Sequence, residues 1–193
     1  MSSLRAFALS IFVFLVVPGA AQAQSTGGAE YVPPPPENMV APGAKATLLP
    51  DGTAAAPADA PQAVKEAIWA GNRLQDKPYR YGGGHAKIED TGYDCSGTVS
   101  YALIKAGLLK PFPLDSSGFM GYGDPGKGKW ITVYAHGGHA YAIIAGLRLD
   151  TSAYASRTAR LRNVARSAFE RGPRWRPTSR PSRGFRARHP VGL

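Results

Sequence analysis

The chain has a single cysteine, Cys95, and its position favours nucleophilic chemistry. Asp94 lies directly before it, where an N-cap residue belongs, and apolar residues recur at helical spacing up to Ala106, with Gly107 as a C-terminal stop. A helix over residues 95–106 would hold the thiol at the positive end of the helix dipole, which favours the nucleophilic thiolate. Free N–H groups there could also hold the oxyanion that forms when a thiolate attacks an amide.

Four histidines are candidates for the base that such a thiol needs. His85 falls in a glycine-rich loop, and His189 lies near the end of the chain. His136 and His139 flank Gly137-Gly138, which suggests a sharp entry to a strand predicted over residues 139–145. Residue type and position leave both His136 and His139 open as the base.

Two motifs give the chain a resemblance to a known family. They are Tyr79-Arg80-Tyr81-Gly82-Gly83 and then Tyr93-Asp94-Cys95-Ser96-Gly97. Together they resemble the NlpC family of cell-wall cysteine peptidases, in the NlpC and p-sixty superfamily. The resemblance covers roughly residues 61–152 and implies a papain-like α+β fold, in which the nucleophile helix packs on an antiparallel sheet. The chain departs from the family before the histidine strand, where Gly128-Lys129-Trp130 replaces the usual Gly-Asp-Leu.

The resemblance also implies roles for individual residues. Cys95 would be the nucleophile, and His139, which begins a His-Ala-Tyr-Ala-Ile pattern, is favoured over His136 as its base. A third polar group must hold the imidazole in one tautomer, and on the next strand that group would be Asp150. The residues expected to line the substrate cleft are Tyr81, Asp94 and Ser96.

The implied activity is hydrolysis of an amide bond in peptidoglycan stem peptides through a thioester. A related group, the cysteine-histidine-dependent amidohydrolases, cuts between glycan and peptide, and the sequence does not separate these bonds. No metal or cofactor is expected, because the chain lacks a Cys/His cluster with the spacing of zinc ligands. The alternative from another class is a non-catalytic envelope-binding protein that keeps a papain-like fold and binds through a basic wall-binding surface.

The N-terminal residues have the pattern of an export signal. Arg5 precedes an apolar run that ends at Val17, and Ala21-Gln22-Ala23 precedes the expected cleavage, so residues 1–23 are predicted to be a signal peptide. The run is too short for a membrane span, which needs about 20 apolar residues. We therefore expect a secreted or periplasmic protein of the cell envelope, without a transmembrane span.

The rest of the chain divides by composition. Residues 24–58 are rich in Pro, Ala and Gly and are predicted to form a disordered linker, followed by the catalytic domain over residues 59–190. The formal net charge is +10, and about a dozen arginines after Leu147 face only Asp150 and Glu170. This Arg-rich C-terminal segment should attract polyanions, for which anionic envelope polymers are better candidates than nucleic acid. A solvated surface without a partner is an equally simple interpretation.

Hydrophobic periodicity predicts the elements around the site. A first helix would be capped by Asp59, carry Pro61 in its first turn and end at Lys77-Pro78. Strands are predicted over residues 130–134, 139–145 and 147–151, the last two joined by a tight turn near Gly146. A helix over residues 157–170 and a closing edge strand over residues 184–188 complete the prediction.

Overall fold

The computed structural model describes residues 39–152, 172–177 and 180–193. Within them, a small amino-terminal sheet and helix α1 come before helix α2, and the six remaining strands form one larger sheet. The elements are β1 (Val40–Ala41), β2 (Thr47–Leu48), β3 (Ala54–Pro57), α1 (Gln62–Asn72), α2 (Cys95–Lys105), a 3-10 helix (Gly118–Gly121), β4 (Asp124–Pro125), β5 (Ile131–His136), β6 (His139–Ile144), β7 (Leu147–Asp150), β8 (Arg174–Arg176) and β9 (Arg186–His189).

The larger sheet is antiparallel throughout, with the strand order β4-β9-β5-β6-β7-β8. The three strands predicted in its middle are confirmed as β5, β6 and β7. The turn between β6 and β7 is also confirmed, because Ala145 and Gly146 both have positive φ, 47° and 94°. Two such residues match the twist of a hairpin that has a two-residue loop.

Both helices pack in one core with this sheet. Helix α2 contacts β6 and β7, while α1 contacts α2 and β3. Alternate residues of β5 and β6 enter the core, as expected for a sheet covered on that face. The fully buried core residues of these elements include Val64, Ile68, Val99, Leu103, Ile131, Val133, Ala142 and Ile144. The predicted α+β class is thus observed, and helix α2, which begins at Cys95, packs on an antiparallel sheet.

Helix α1 differs from its prediction at both ends. Pro61, not Asp59, occupies the N-cap position, and no side chain caps the helix. Asp59 is exposed, and its backbone N–H donates to Gly43 O at 3.2 Å, because the chain is still turning out of β3 there. The helix ends at Asn72 rather than near Lys77, since the following N–H groups bond to carbonyls three residues back.

The predicted disordered linker over residues 24–58 is wrong in its described part. Strand β3 pairs with β1 in parallel and with β2 in antiparallel orientation, and the alanines at 54, 55 and 56 are buried. The Asn72 amide bonds both Ala54 N and Ala54 O, at 2.8 and 2.9 Å. Alanine-rich composition suggested a tether, but small side chains also allow a strand to lie close against a helix. Residues 24–38 lie outside the described part.

The C-terminal strands complete the larger sheet at both sides. The sequence did not predict β8, whose Trp175 is buried and donates from Nε1 to Asn72 Oδ1 at 2.8 Å. Strand β9 was expected at an edge, but it lies between β5 and the two-residue β4. The predicted signal peptide over residues 1–23 and helix over residues 157–170 lie outside the described residues. Among the described helices, none combines the length and apolarity that crossing a membrane requires.

Candidate active site

The helix that carries Cys95 begins as predicted. The Asp94 carboxylate accepts a hydrogen bond from Gly97 N at 2.7 Å, so Asp94 is the N-cap and Cys95 is the first residue of α2. The thiol is partly exposed. The glycine loop packs tightly on this first turn, because a Cβ at position 97 would lie 2.0 Å from Gly83 O. Glycine at position 97 thus allows the two backbones to approach each other.

His139 joins Cys95 to Asp150. Its Nε2 lies 2.9 Å from Asp150 Oδ1, and its imidazole is close enough to Cys95 for that side chain to contribute to the raised pKa of His139. Since Nε2 faces Asp150, Nδ1 is the ring nitrogen left for the thiol. Burial opposes the charged form and lowers the pKa of His139, but the hydrogen bond to Asp150 and the interaction with Cys95 outweigh it and raise the pKa to about 9. The imidazole is therefore mostly protonated at neutral pH.

Asp150 is buried at the end of β7, with only 1 % of its surface exposed. Besides His139, its Oδ1 accepts from Ser152 N at 2.8 Å. Its Oδ2 lies 3.0 Å from Arg180 Nη1 and 3.5 Å from Arg148 Nε. Burial alone would raise the pKa of this carboxyl, but the hydrogen bond from His139 and the neighbouring cations lower it. Asp150 is therefore a carboxylate surrounded by donors.

The other histidines of the larger sheet lie away from the thiol. His136 pairs with His139 across the β5–β6 hairpin, but its Nδ1 accepts from Gly138 N at 3.0 Å and its ring packs on Phe185, with centroids 4.3 Å apart. His189 lies on β9, with Nδ1 3.2 Å from Gly126 O. Of the two histidines that sequence left open, His139 is the one beside Cys95.

A cleft of about 340 Å³ opens at the thiol. Cys95 and the three predicted substrate-cleft residues are all among those lining it. Tyr81 stands at the rim with 91 % of its surface exposed, whereas Asp94 and Ser96 are buried in the wall. The remaining lining residues are Tyr79, Gly82, His85, Asp115, Ser116, Ser117, Gly137 and Gly138. The lining includes hydroxyl and carboxylate side chains, so the cleft can bind a polar substrate.

His85 is a cleft residue that the sequence reasoning missed. Its Nε2 lies 3.0 Å from Asp94 Oδ1 and 3.2 Å from Ser96 Oγ. The hydrogen bond to Asp94 raises the pKa of His85 against the opposing effect of partial burial. Asp94 also accepts from Gly82 N at 3.1 Å, so its carboxylate holds both the loop and the helix. The glycines suggested a flexible loop, and nothing local indicated that Asp94 would fix it.

Arg180 was also missed as a residue of the site. It follows Asp150 by 30 residues, yet it contacts the carboxylate behind His139. The sequence offered only an arginine-rich segment, in which no arginine stood out. Chain folding after β8 brings this particular arginine to the site.

Comparison with known proteins gives no relative. No protein-family model matches this chain, no curated protein is significantly similar to it, and no solved structure matches it. Function is therefore inferred from the residues and geometry of the site.

Proposed function

We propose that this protein is a cysteine peptidase that hydrolyses amide bonds through a thioester. The observation that carries the proposal is the position of His139 between two partners, Cys95 on one side and Asp150 Oδ1 at 2.9 Å on the other. A nucleophile, a base and a group that orients the base are the parts that such catalysis requires. A thiol at a helix N-terminus beside a histidine on a sheet, as expected of a papain-like enzyme, supports the same proposal.

Each residue has a step in this reaction. The Cys95 thiolate attacks the carbonyl carbon, a C–S bond forms, and the carbonyl oxygen becomes an oxyanion. In the first turn of α2, Asp94 engages the N–H groups of Gly97 and Thr98, which leaves those of Cys95 and Ser96 to face the oxyanion. The His139 imidazolium then gives its proton to the leaving amine as the C–N bond breaks.

Hydrolysis of the thioester restores the enzyme. His139, now neutral, takes a proton from water, and the resulting hydroxide attacks the thioester carbonyl. The C–S bond breaks, the acyl product leaves as a carboxylic acid, and Cys95 returns to the thiolate beside the protonated imidazole. Asp150 stays ionised throughout and holds Nε2–H, so that Nδ1 remains directed at the sulfur.

The proposed substrates are the stem peptides of peptidoglycan. The two motifs at Tyr79–Gly83 and Tyr93–Gly97 resemble those of cell-wall peptidases, and the export signal expected over residues 1–23 would deliver the enzyme, secreted or periplasmic, to the envelope. In the cleft, Tyr81, Asp94 and Ser96 are the proposed substrate contacts. Asp94 Oδ2 accepts only Gly82 N among the described groups, so it keeps capacity for a substrate ammonium.

The test is digestion of purified peptidoglycan by the protein without residues 1–23, with released fragments identified by mass spectrometry. We expect wild type and His136→Gln to release peptides, and Cys95→Ala and His139→Gln to release none. His136 is a matched control because it lies in the same hairpin but away from the thiol. Binding to sacculi without any released fragment would instead favour the non-catalytic envelope-binding protein.

A further inference from the structure

Arg180 contacts four of the described residues behind His139 and Cys95. Its Nη1 donates to Asp150 Oδ2 at 3.0 Å and to Ser152 Oγ at 2.7 Å. Its guanidinium lies over the rings of Tyr141 and Phe185, 5.1 and 5.3 Å from their centroids. Only 13 % of the side chain is exposed. Arg180 is therefore held in one orientation by two aromatic rings while it binds the carboxylate.

Ser152 also bonds the other carboxylate oxygen of Asp150, Oδ1. Ser152 Oγ lies 3.0 Å from both oxygens of Asp150. Because Arg180 donates to Ser152 Oγ, the hydroxyl hydrogen is free to point at Asp150. Ser152 N donates to Oδ1 at 2.8 Å. Rotation of the carboxylate would break several of these bonds together, so Oδ1 stays directed at His139.

Resting on the proposed function, we propose that Arg180 is a positioning residue that fixes Asp150 so that Asp150 in turn orients His139 for catalysis. Arg180 lies beyond the part of the chain that resembles cell-wall peptidases. The Arg-rich C-terminal segment thereby supplies part of the active site in addition to positive charge.

If Arg180 is removed, a positioning role and a charge-balancing role predict opposite changes in the pKa of His139. If Arg180 only neutralised the buried carboxylate, its removal would leave Asp150 more available to the imidazolium, and the pKa of His139 would stay near 9 or rise. If Arg180 holds Asp150 in place, its removal loosens the hydrogen bond that raises this pKa. The pKa of His139 then falls toward its ordinary value of 6.5.

The experiment compares Arg180→Gln, Arg180→Lys and wild type, with Arg183→Gln as the control. Arg183 is an exposed arginine of the same segment. The pKa of His139 is measured by NMR titration of the labelled imidazoles, assigned with His139→Gln, and stem-peptide turnover is measured in parallel. For Arg180→Gln we expect a lower pKa of His139 and a kcat reduced about 10- to 100-fold with KM little changed, as for loss of a charge-assisted hydrogen bond.

Arg180→Lys should fall between wild type and Arg180→Gln, because one ammonium cannot reproduce the planar guanidinium that lies over two rings. If Arg180→Gln does not fold, a lowered pKa of His139 in Arg180→Lys still supports positioning. A pKa of His139 that matches Arg183→Gln or rises overturns the proposal, whatever the turnover. If wild type turns over no peptide, the proposed function fails, while the titration still decides whether Arg180 fixes the Asp150–His139 pair.

Discussion

Replacing Asp150 by asparagine tests the electrostatics of the site most directly. The substitution keeps the shape of the side chain but provides one oxygen and an NH2 group in place of two oxygens. His139 Nε2 and Ser152 N face Oδ1 of Asp150, and Arg180 Nη1 donates to Oδ2. The Arg148 guanidinium adds an ion pair with Oδ2, at 3.5 Å, without a hydrogen bond. The single oxygen should turn to the charged arginines. The NH2 group then faces His139, whose Nε2 must become an acceptor.

The size of the effect follows from the pKa of His139. Its rise from 6.5 to about 9 corresponds to about 3 kcal/mol, at ~1.4 kcal/mol per pKa unit. This is a net value, because burial opposes the interactions with Asp150 and Cys95 that raise the pKa. It therefore sets only the scale of the Asp150 contribution, on the order of 100-fold in rate. The wrong tautomer adds to it, since the same change behind the histidine of a serine peptidase costs ~10⁴-fold. We therefore expect turnover to fall about 10²- to 10⁴-fold in Asp150→Asn.

The assay is hydrolysis of a purified stem peptide, followed chromatographically from acidic pH to above the pKa of His139. The alkaline limit of wild-type activity should lie near 9 and should move toward 6.5 in the variant. Asp124→Asn is the control, because Asp124 is an exposed carboxylate on β4. Circular dichroism must show that the variants are folded, since an unpaired buried arginine such as Arg148 costs about 3–5 kcal/mol.

Two results would refute the reasoning. Turnover of folded Asp150→Asn equal to that of Asp124→Asn would remove Asp150 from the catalytic machinery. A large loss of turnover with the alkaline limit still near 9 would mean that other groups set the pKa of His139.

Three further predictions concern stability and binding. Gly97→Ala should lower the free energy of unfolding by about 1–3 kcal/mol or more, because its Cβ would lie 2.0 Å from Gly83 O. In the same denaturant titrations Gly137→Ala should match wild type, since nothing lies within 4 Å of a Cβ at that position. The raised pKa of His139 should stabilise the fold fully below pH 6.5 and lose that contribution as pH rises through about 9; an unchanged pH dependence in His139→Gln would contradict this. Binding of Cys95→Ala to intact sacculi should weaken with salt, as the Debye length falls from about 10 Å at 0.1 M to about 3 Å at 1 M. If the basic segment has no partner, that binding should not change when four arginines outside the described residues are replaced: Arg157, Arg160, Arg162 and Arg166.

The sequence by itself determined the features that depend on neighbouring residues. Asp94 caps the helix of Cys95 because an N-cap carboxylate bonds an N–H three residues ahead, which is a local interaction. Strands β5, β6 and β7 follow from alternating apolar residues, and the turn at Ala145-Gly146 follows from a glycine between two such runs. Each of these features depends on a few consecutive residues, so the sequence alone could predict it.

Only the tertiary structure decided which distant side chains meet. His136 and His139 face each other across one hairpin, but His136 packs more closely on Phe185, whereas His139 bonds Asp150 and interacts with Cys95. Arg180 approaches Asp150 because the chain returns after β8, and Ala54 is buried because Asn72 of another element binds its backbone. These contacts join residues far apart in the chain, whose approach depends on how the whole core packs, so no short pattern could have revealed them.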